Sequence, residues 1–133
     1  MVIVDTCIWS CVLRRTKKQN MPVVKELQQL IQEHRVEIIG AIRQEILSGI
    51  KDPKQFNKLK DHLSSFPDIE LSSEDYVTAA RFYNICRSNG IQGSNTDYLI
   101  CAVAVNRKFS IYTTDKDFTL FAKYLPIELH NVR

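Results

Sequence analysis

Short runs of β-branched and apolar residues recur along this chain, and stretches with helical periodicity separate each from the next. The runs are Val2–Val4, Val36–Ile39, Ile69–Leu71, Ser110–Thr114 and Ile127–His130. Several of them are apolar at consecutive positions rather than at alternate ones, which is the pattern of a strand buried on both faces. Strands that alternate with helices are joined by crossovers into a parallel sheet with helices above and below. The predicted fold is therefore α/β, a three-layer sandwich with a mostly parallel central sheet covered by helices.

The intervening stretches supply those helices. Thr6 can cap a helix through Leu13 that turns Ile8, Trp9 and Val12 inward. Pro22 suits the first turn of a second helix running to about His34, with Val23, Val24, Leu27, Leu30 and Ile31 on one face. A third is expected over Ala41–Ile50, ending near Gly49 and Pro53. A basic, amphipathic one follows over Lys54–Phe66. Ser72 or Ser73 caps a long helix from Glu74 to Ser88 that Gly90 ends. Asn95 or Thr96 opens an apolar helix through Val105, and a last one covers about Phe118–Tyr124. No internal repeat, low-complexity run or linker interrupts the 133 residues, so a single domain over residues 1–133 is expected, large enough to bury about two thirds of its unfolded surface.

Cys7, Cys11, Cys86 and Cys101 contain no CxxC pair and lie in apolar helical contexts, which argues against a disulfide framework or a zinc knuckle. They read as reduced, buried cysteines that act as small hydrophobes. Cys7 and Cys11 are four residues apart, but no histidine or further cysteine stands near them to complete a metal site. The apolar opening MVIVDTCIWSCVL lacks a basic n-region and a small-residue cleavage site, and Asp5 interrupts it. No stretch approaches the roughly 20 apolar residues of a membrane span. A cytoplasmic protein is expected. Its net charge of +3 is compatible with a polyanionic partner and too small to specify one.

Four acids stand out against this framework. Asp5 and Asp115 directly follow the first and fourth predicted strands. Glu45 lies on the helix reached from the second strand through Gly40, and Asp97 sits in the first turn of its helix. Ligands of open parallel sheets bind beyond the carboxyl ends of the strands, so all four belong to one edge. Each also has a plain structural reading: Asp5 as a helix cap, Asp97 as an acid favoured by the helix dipole, Glu45 as a solvated side chain and Asp115 as a turn former. Together they would repel one another unless a cation joined them, which is the signature of a divalent-metal site.

The contexts of these acids are VDTCIW, EILSGI, SNTDYLICAVAV and IYTTDKDF, with LSSEDYVTAARFY in the long helix between them. Over nearly its whole length the chain resembles PIN-domain proteins, and among them the VapC-type toxin ribonucleases of bacterial toxin–antitoxin pairs. The resemblance implies a PIN-like fold in which Asp5, Glu45, Asp97 and Asp115 form a catalytic acidic quartet binding Mg²⁺ or Mn²⁺. Asp5, Asp97 and Asp115 would be the metal ligands, and Glu45 would hold a second ion or orient water. It further implies Thr6 and Thr113 as accompanying hydroxyls and Asp117 as an auxiliary acid. Two departures from the family pattern are visible: Cys7 where a small polar residue is common, and Cys101 in place of an alanine.

By the same resemblance the substrate is RNA, cleaved by hydrolysis, and the partners are a VapB-like antitoxin and a second copy of the chain. Arg14, Arg15, Lys17 and Lys18, and in the segment after Glu45 Lys51, Lys54, Lys58 and Lys60, are candidate phosphate contacts; ordinary solvated charge is the competing reading. The apolar stripes of Val23–Ile31 and Lys54–Phe66 are candidates for the antitoxin groove or, as favoured for most of their residues, plain core. Other functions use the same residues: a catalytically silent PIN-fold scaffold that binds RNA or a partner, or a structure-specific DNA nuclease. A phosphoacceptor receiver domain fits poorly, because it needs paired acids after the first strand and an aspartate after the third.

Overall fold

A computed structural model describes residues 1–13 and 21–133. At its centre is β1 (Val2–Val4), whose three residues are fully buried. It pairs in parallel with β2 (Val36–Glu37) on one side and with β3 (Ser110–Tyr112) on the other, giving the order β2-β1-β3. Val2 stands opposite both Val36 and Ser110, and Val4 opposite Tyr112. The fully apolar β1 is central because only the middle strand has neighbours on every side to bury it.

The expected strands at Ile69–Leu71 and Ile127–His130 are reduced to single parallel bridges, Ile38 with Asp68 and Ile111 with Leu129. They extend the sheet at both edges through Ile69 N–H to Ile38 O and His130 N–H to Ile111 O, at 2.9 and 2.7 Å. Pro67 and Pro126, which have no N–H to give, stand near the entry of each segment and leave little backbone free to pair. The expected fourth strand also stops early, at Tyr112 rather than Thr114.

Seven helices surround this sheet among the described residues: α1 (Thr6–Leu13), α2 (Met21–Gln32), α3 (Gly40–Leu47), α4 (Pro53–Leu63), α5 (Ser73–Ser88), α6 (Asn95–Arg107) and α7 (Asp117–Phe121). One packed group runs from α1 to α2 and through α3 to α4, while α5 packs along α6 and α6 lies on β1 and β3. Ile8, Leu27, Leu30 and Ile42 bury their side chains on the first side, and Ile100, Cys101, Val103 and Ala104 fill α6. Leu27, Leu30, Leu59 and Leu63 are core, as favoured for those two stripes. Among the described residues no helix is long and apolar enough to cross a membrane.

Three local devices fix the elements that carry the acids. Trp9 Nε1 donates to Val4 O at 3.1 Å and its ring meets Phe66 edge-on, which seats α1 on the end of β1. Arg43 on α3 pairs with Asp68 at 3.0 Å and donates to the carbonyls of Leu63 and Phe66, anchoring the helix that bears Glu45. Asp75, only 1% exposed, is gripped in a fork by Arg107 at 2.8 and 3.0 Å and by Asn106 at 3.0 Å, locking α5 to the far end of α6. The Arg107 guanidinium holds the Asp75 carboxyl well below the usual carboxylate range.

Candidate active site

Asp5 leaves β1 at its carboxyl end, with its N–H donating to Tyr112 O of the neighbouring strand at 2.9 Å. Its carbonyl accepts the N–H groups of Ile8 and Trp9, and its Oδ1 accepts Thr6 N–H at 2.8 Å. Asp5, not Thr6, therefore stands at the cap position of α1, and Thr6 is the first helical residue. This correction frees the Thr6 hydroxyl, which donates to Glu45 Oε1 at 2.7 Å and ties α3 to the start of α1.

The loop after β3 closes on the same point. Thr113 Oγ1 donates to Asp5 Oδ2 at 2.8 Å and accepts Asp115 N–H at 3.0 Å. Asp115 Oδ1 in turn accepts Asp117 N–H at 2.9 Å, so the short turn into α7 is organised by its own acid. These contacts explain why β3 ends at Tyr112: Thr113 and Thr114 turn their polar groups toward Asp5 and Cys7 instead of continuing the ladder. Asp115 follows the strand by three residues, not directly as expected.

Asp97 occupies the third position of α6 in a reciprocal cap with Ser94. Ser94 Oγ accepts Asp97 N–H and Asp97 Oδ2 accepts Ser94 N–H, both at 3.1 Å. The plain reading of Asp97 as a helix-start acid is thus correct as far as it goes. Burial pushes the Asp97 carboxyl above its usual range, and the charges of Asp5 and Asp115 push it further. Burial also raises Asp5, only 6% exposed, against the hydrogen bonds from Thr113, Thr6 and Cys7, with the Asp115 charge adding to the rise. Asp5, Asp97 and Asp115 therefore lie within electrostatic reach, while Glu45 is joined to Asp5 through Thr6.

Among the described residues, Asp5, Glu45, Asp97 and Asp115 make no ion pair with Lys or Arg. Their engaged oxygens face hydroxyl, thiol or backbone N–H donors, so no described cation compensates their charge. No group of three or more His, Cys, Asp or Glu among those residues is drawn together tightly enough to hold an ion as it stands. The donor set nevertheless suits a hard divalent cation in kind, being all carboxylate and hydroxyl oxygen with no imidazole.

Asp117 is exposed at the first position of α7, beside Asp115. Lys51, Lys54, Lys58 and Lys60 are solvent-exposed in and just before α4, which packs on α3. Arg14, Arg15, Lys17 and Lys18 lie outside the described residues. Cys86 and Cys101 are buried as expected, but Cys7 and Cys11 are only half-buried. Cys7 is no inert hydrophobe: its sulfur touches Asp5, Thr113 and Thr114. Ser94 was readable in advance from the S-x-x-D spacing of a capping box. Cys7 offered only its place two residues after Asp5.

A parallel α/β sandwich with clustered acids at the carboxyl edge of its sheet defines the class of molecule. The family model for the PIN domain matches residues 2–124, and the chain belongs to that family. PIN domains are generally nucleases, which supports a nuclease-type hydrolase and sets aside the receiver-domain reading. The search of curated proteins found no match. Among solved structures, the chain is similar to FitAcB from Neisseria gonorrhoeae at 20% identity, covering 98% of this chain and 97% of that one with a TM-score of 0.78. It is similar to VapBC2 from Rickettsia felis, bound to a DNA fragment from their promoter, at 18% identity, 98% coverage of each chain and a TM-score of 0.79. A toxin-antitoxin complex from Klebsiella pneumoniae matches at 18% identity over 89% of this chain and 90% of that one, with a TM-score of 0.66. At these identities the likeness establishes the shared fold.

Proposed function

We propose that the chain is a divalent-metal-dependent endoribonuclease, the toxin of a toxin–antitoxin pair, built as one PIN-like domain over residues 1–133. The observation that carries this reading is the set of acids at the carboxyl edge of the sheet: Thr113 bridges Asp5 and the Asp115 backbone, Thr6 joins Glu45 to Asp5, Asp97 feels the charges of Asp5 and Asp115, and no Lys or Arg among the described residues pairs with them. A buried carboxylate without a cationic partner is costly, and a bound cation removes that cost. PIN nucleases generally depend on divalent metals, and this donor set favours Mg²⁺ or Mn²⁺.

Asp5, Asp97 and Asp115 would hold the ion, and Glu45 would hold a second one or orient the attacking water. Such an ion, when bound, stabilises charge on the phosphodiester oxygens and activates water for hydrolysis. The protein's own contribution is placement. Thr113 fixes one Asp5 oxygen and the backbone of Asp115 together; Thr6 fixes Glu45 against the start of α1; Asp117 adds negative charge at the rim. Both Asp5 and Asp97 must be ionised to serve, and their raised pKa values place that requirement above the usual carboxylate range.

RNA would be held through basic side chains, with Arg14, Arg15, Lys17 and Lys18 as the assigned phosphate contacts. A VapB-like antitoxin would close the cleft with an arginine paired to the acids, a strong charge-assisted contact. The chain would act as a homodimer in the cytoplasm. The fold likeness to a toxin-antitoxin complex supports the antitoxin partner. The intact quartet argues against the silent-scaffold reading.

Labelled RNA and DNA of matched sequence, incubated side by side with Mg²⁺, Mn²⁺ or EDTA, separate these readings. The expected result is RNA cleavage with either metal, none in EDTA, and none from Asp5→Asn or Asp97→Asn. Full activity in either variant overturns the metal-site assignment. Cleavage of DNA alone transfers the assignment to a DNA nuclease, and binding without cleavage to the scaffold.

A further inference from the structure

The sulfur of Cys7 sits at the junction of the two chain segments that supply Asp5 and Asp115. Sγ lies 3.5 Å from Asp5 Oδ2 and 3.4 Å from Thr113 Oγ1, and it accepts both the N–H and the hydroxyl of Thr114 at 3.4 Å. The hydrogens can be assigned. The Thr113 hydroxyl spends its one proton on Asp5 Oδ2 at 2.8 Å. The single S–H proton then goes either to Asp5 Oδ2 or to the Thr113 oxygen that already serves Asp5. Both routes end on the same carboxylate oxygen.

We infer that Cys7 is a positioning residue of the metal centre: its sulfur clamps the Thr113–Thr114 loop to the Asp5 carboxylate and so sets the placement of Asp115 relative to Asp5. This rests on the proposed metal-dependent function. It assigns to the thiol the kind of outer contact that orients metal-binding carboxylates, whose loss commonly costs about 10- to 100-fold in metal affinity or activity. The long reach of sulfur suits the role. Four polar atoms surround Sγ at 3.4 to 3.5 Å, farther than an oxygen would bond them. A serine would satisfy the same donors and acceptors only if the loop moved inward by about half an ångström.

The test uses the full chain and measures Mn²⁺ binding by calorimetry and electron paramagnetic resonance, beside thermal unfolding, for wild type, Cys7→Ala and Cys7→Ser. Cys7→Ala is expected to weaken Mn²⁺ binding about tenfold and to alter the Mn²⁺ signal, with unfolding temperature little changed. Cys7→Ser, which keeps the polar group but shortens its reach, is expected to recover part of the affinity. Wild-type affinity and signal in Cys7→Ala overturn the inference alone. Equal loss of affinity and stability in both variants also overturns it, by reducing Cys7 to packing. Failure of the wild-type chain to bind Mn²⁺ overturns the metal-dependent reading itself, and is thereby distinguished from failure of the clamp.

Discussion

The two ends of α6 treat buried negative charge in opposite ways. At its carboxyl end Arg107 grips Asp75 in a bidentate pair, and Asn106 and the Ser72 N–H satisfy the remaining lone pairs. At its amino end Asp97 lies within the charge influence of Asp5 and Asp115, and the donors to all three among the described residues are neutral. Asp75 and Asp5 are almost equally hidden, at 1% and 6% exposure. Desolvation weighs most on Asp5, whereas the hydrogen bonds from Arg107 weigh most on Asp75. The Asp75 carboxyl is lowered because Arg107 meets it; that of Asp5 is raised by burial and the Asp115 charge, and that of Asp97 by burial and the charges of Asp5 and Asp115. Asp75 is a brace paired within the fold, and the proposed cation site is the group of acids that no Lys or Arg among the described residues pairs with.

Removing a member of each cluster should break this contrast most sharply. Asp5→Asn or Asp97→Asn should abolish metal-dependent cleavage, read on labelled RNA, while leaving unfolding temperature at neutral pH unchanged or raised. Arg107→Ala should do the reverse: it strands a buried carboxylate and should cost about 3 kcal/mol of stability, at the lower end for a broken buried pair because Arg107 is partly exposed. Denaturant unfolding measures it. Cleavage per folded molecule should persist, since Asp97 is held by Ser94 at the opposite end of the helix.

A subtler variant sharpens the role of the hydroxyl bridges. Thr113→Val leaves Asp5 Oδ2 and Asp115 N–H without that partner, and should cost about 1 to 2 kcal/mol in unfolding experiments. If Thr113 only packs, the valine will be neutral.

The two clusters also differ in the sign of their pH dependence. Asp75 is depressed in the folded state, so its stabilisation is present above the unfolded carboxylate value of about 3.9 and is lost as pH falls through the lower folded value. Asp5 and Asp97 are raised, so their contribution is present below that unfolded value and is lost as pH rises through the higher folded ones. Unfolding free energy measured from pH 3 to 7 should therefore fall less steeply, or rise more, across the window just above pH 4 in Asp5→Asn than in wild type. Saturating Mn²⁺ should shrink that difference in wild type by favouring the ionised acids. Identical profiles would remove the electrostatic basis of the contrast.

Much of this was legible in the chain. The run Val2–Val4 can only be a buried strand, and an acid at its end must either cap, pair or bind. The S-x-x-D spacings at Ser72 and Ser94 mark both helix starts, and the structure has a capping box at each. The misreadings share a cause. Thr6 looked like a cap because it is a good one, but Asp5 was better placed, and the Thr6 hydroxyl found Glu45, 39 residues away. The strands at Ile69–Leu71 and Ile127–His130 looked ordinary, yet edge position and neighbouring prolines leave each a single bridge. Cys7 read as a hydrophobe because its polar partners, apart from Asp5, lie more than a hundred residues away.

By itself the sequence determined the alternation of strands and helices, the burial of β1 and the chemical identity of the acids, because periodicity and residue type act over a few neighbours. Tertiary structure decided which buried acid would meet Arg107. It brought Thr6 to Glu45, Thr113 to Asp5 and Cys7 to the loop that carries Asp115. Those outcomes depend on contacts between segments far apart in the chain, and a carboxylate's charge state and purpose are set by what the fold places beside it.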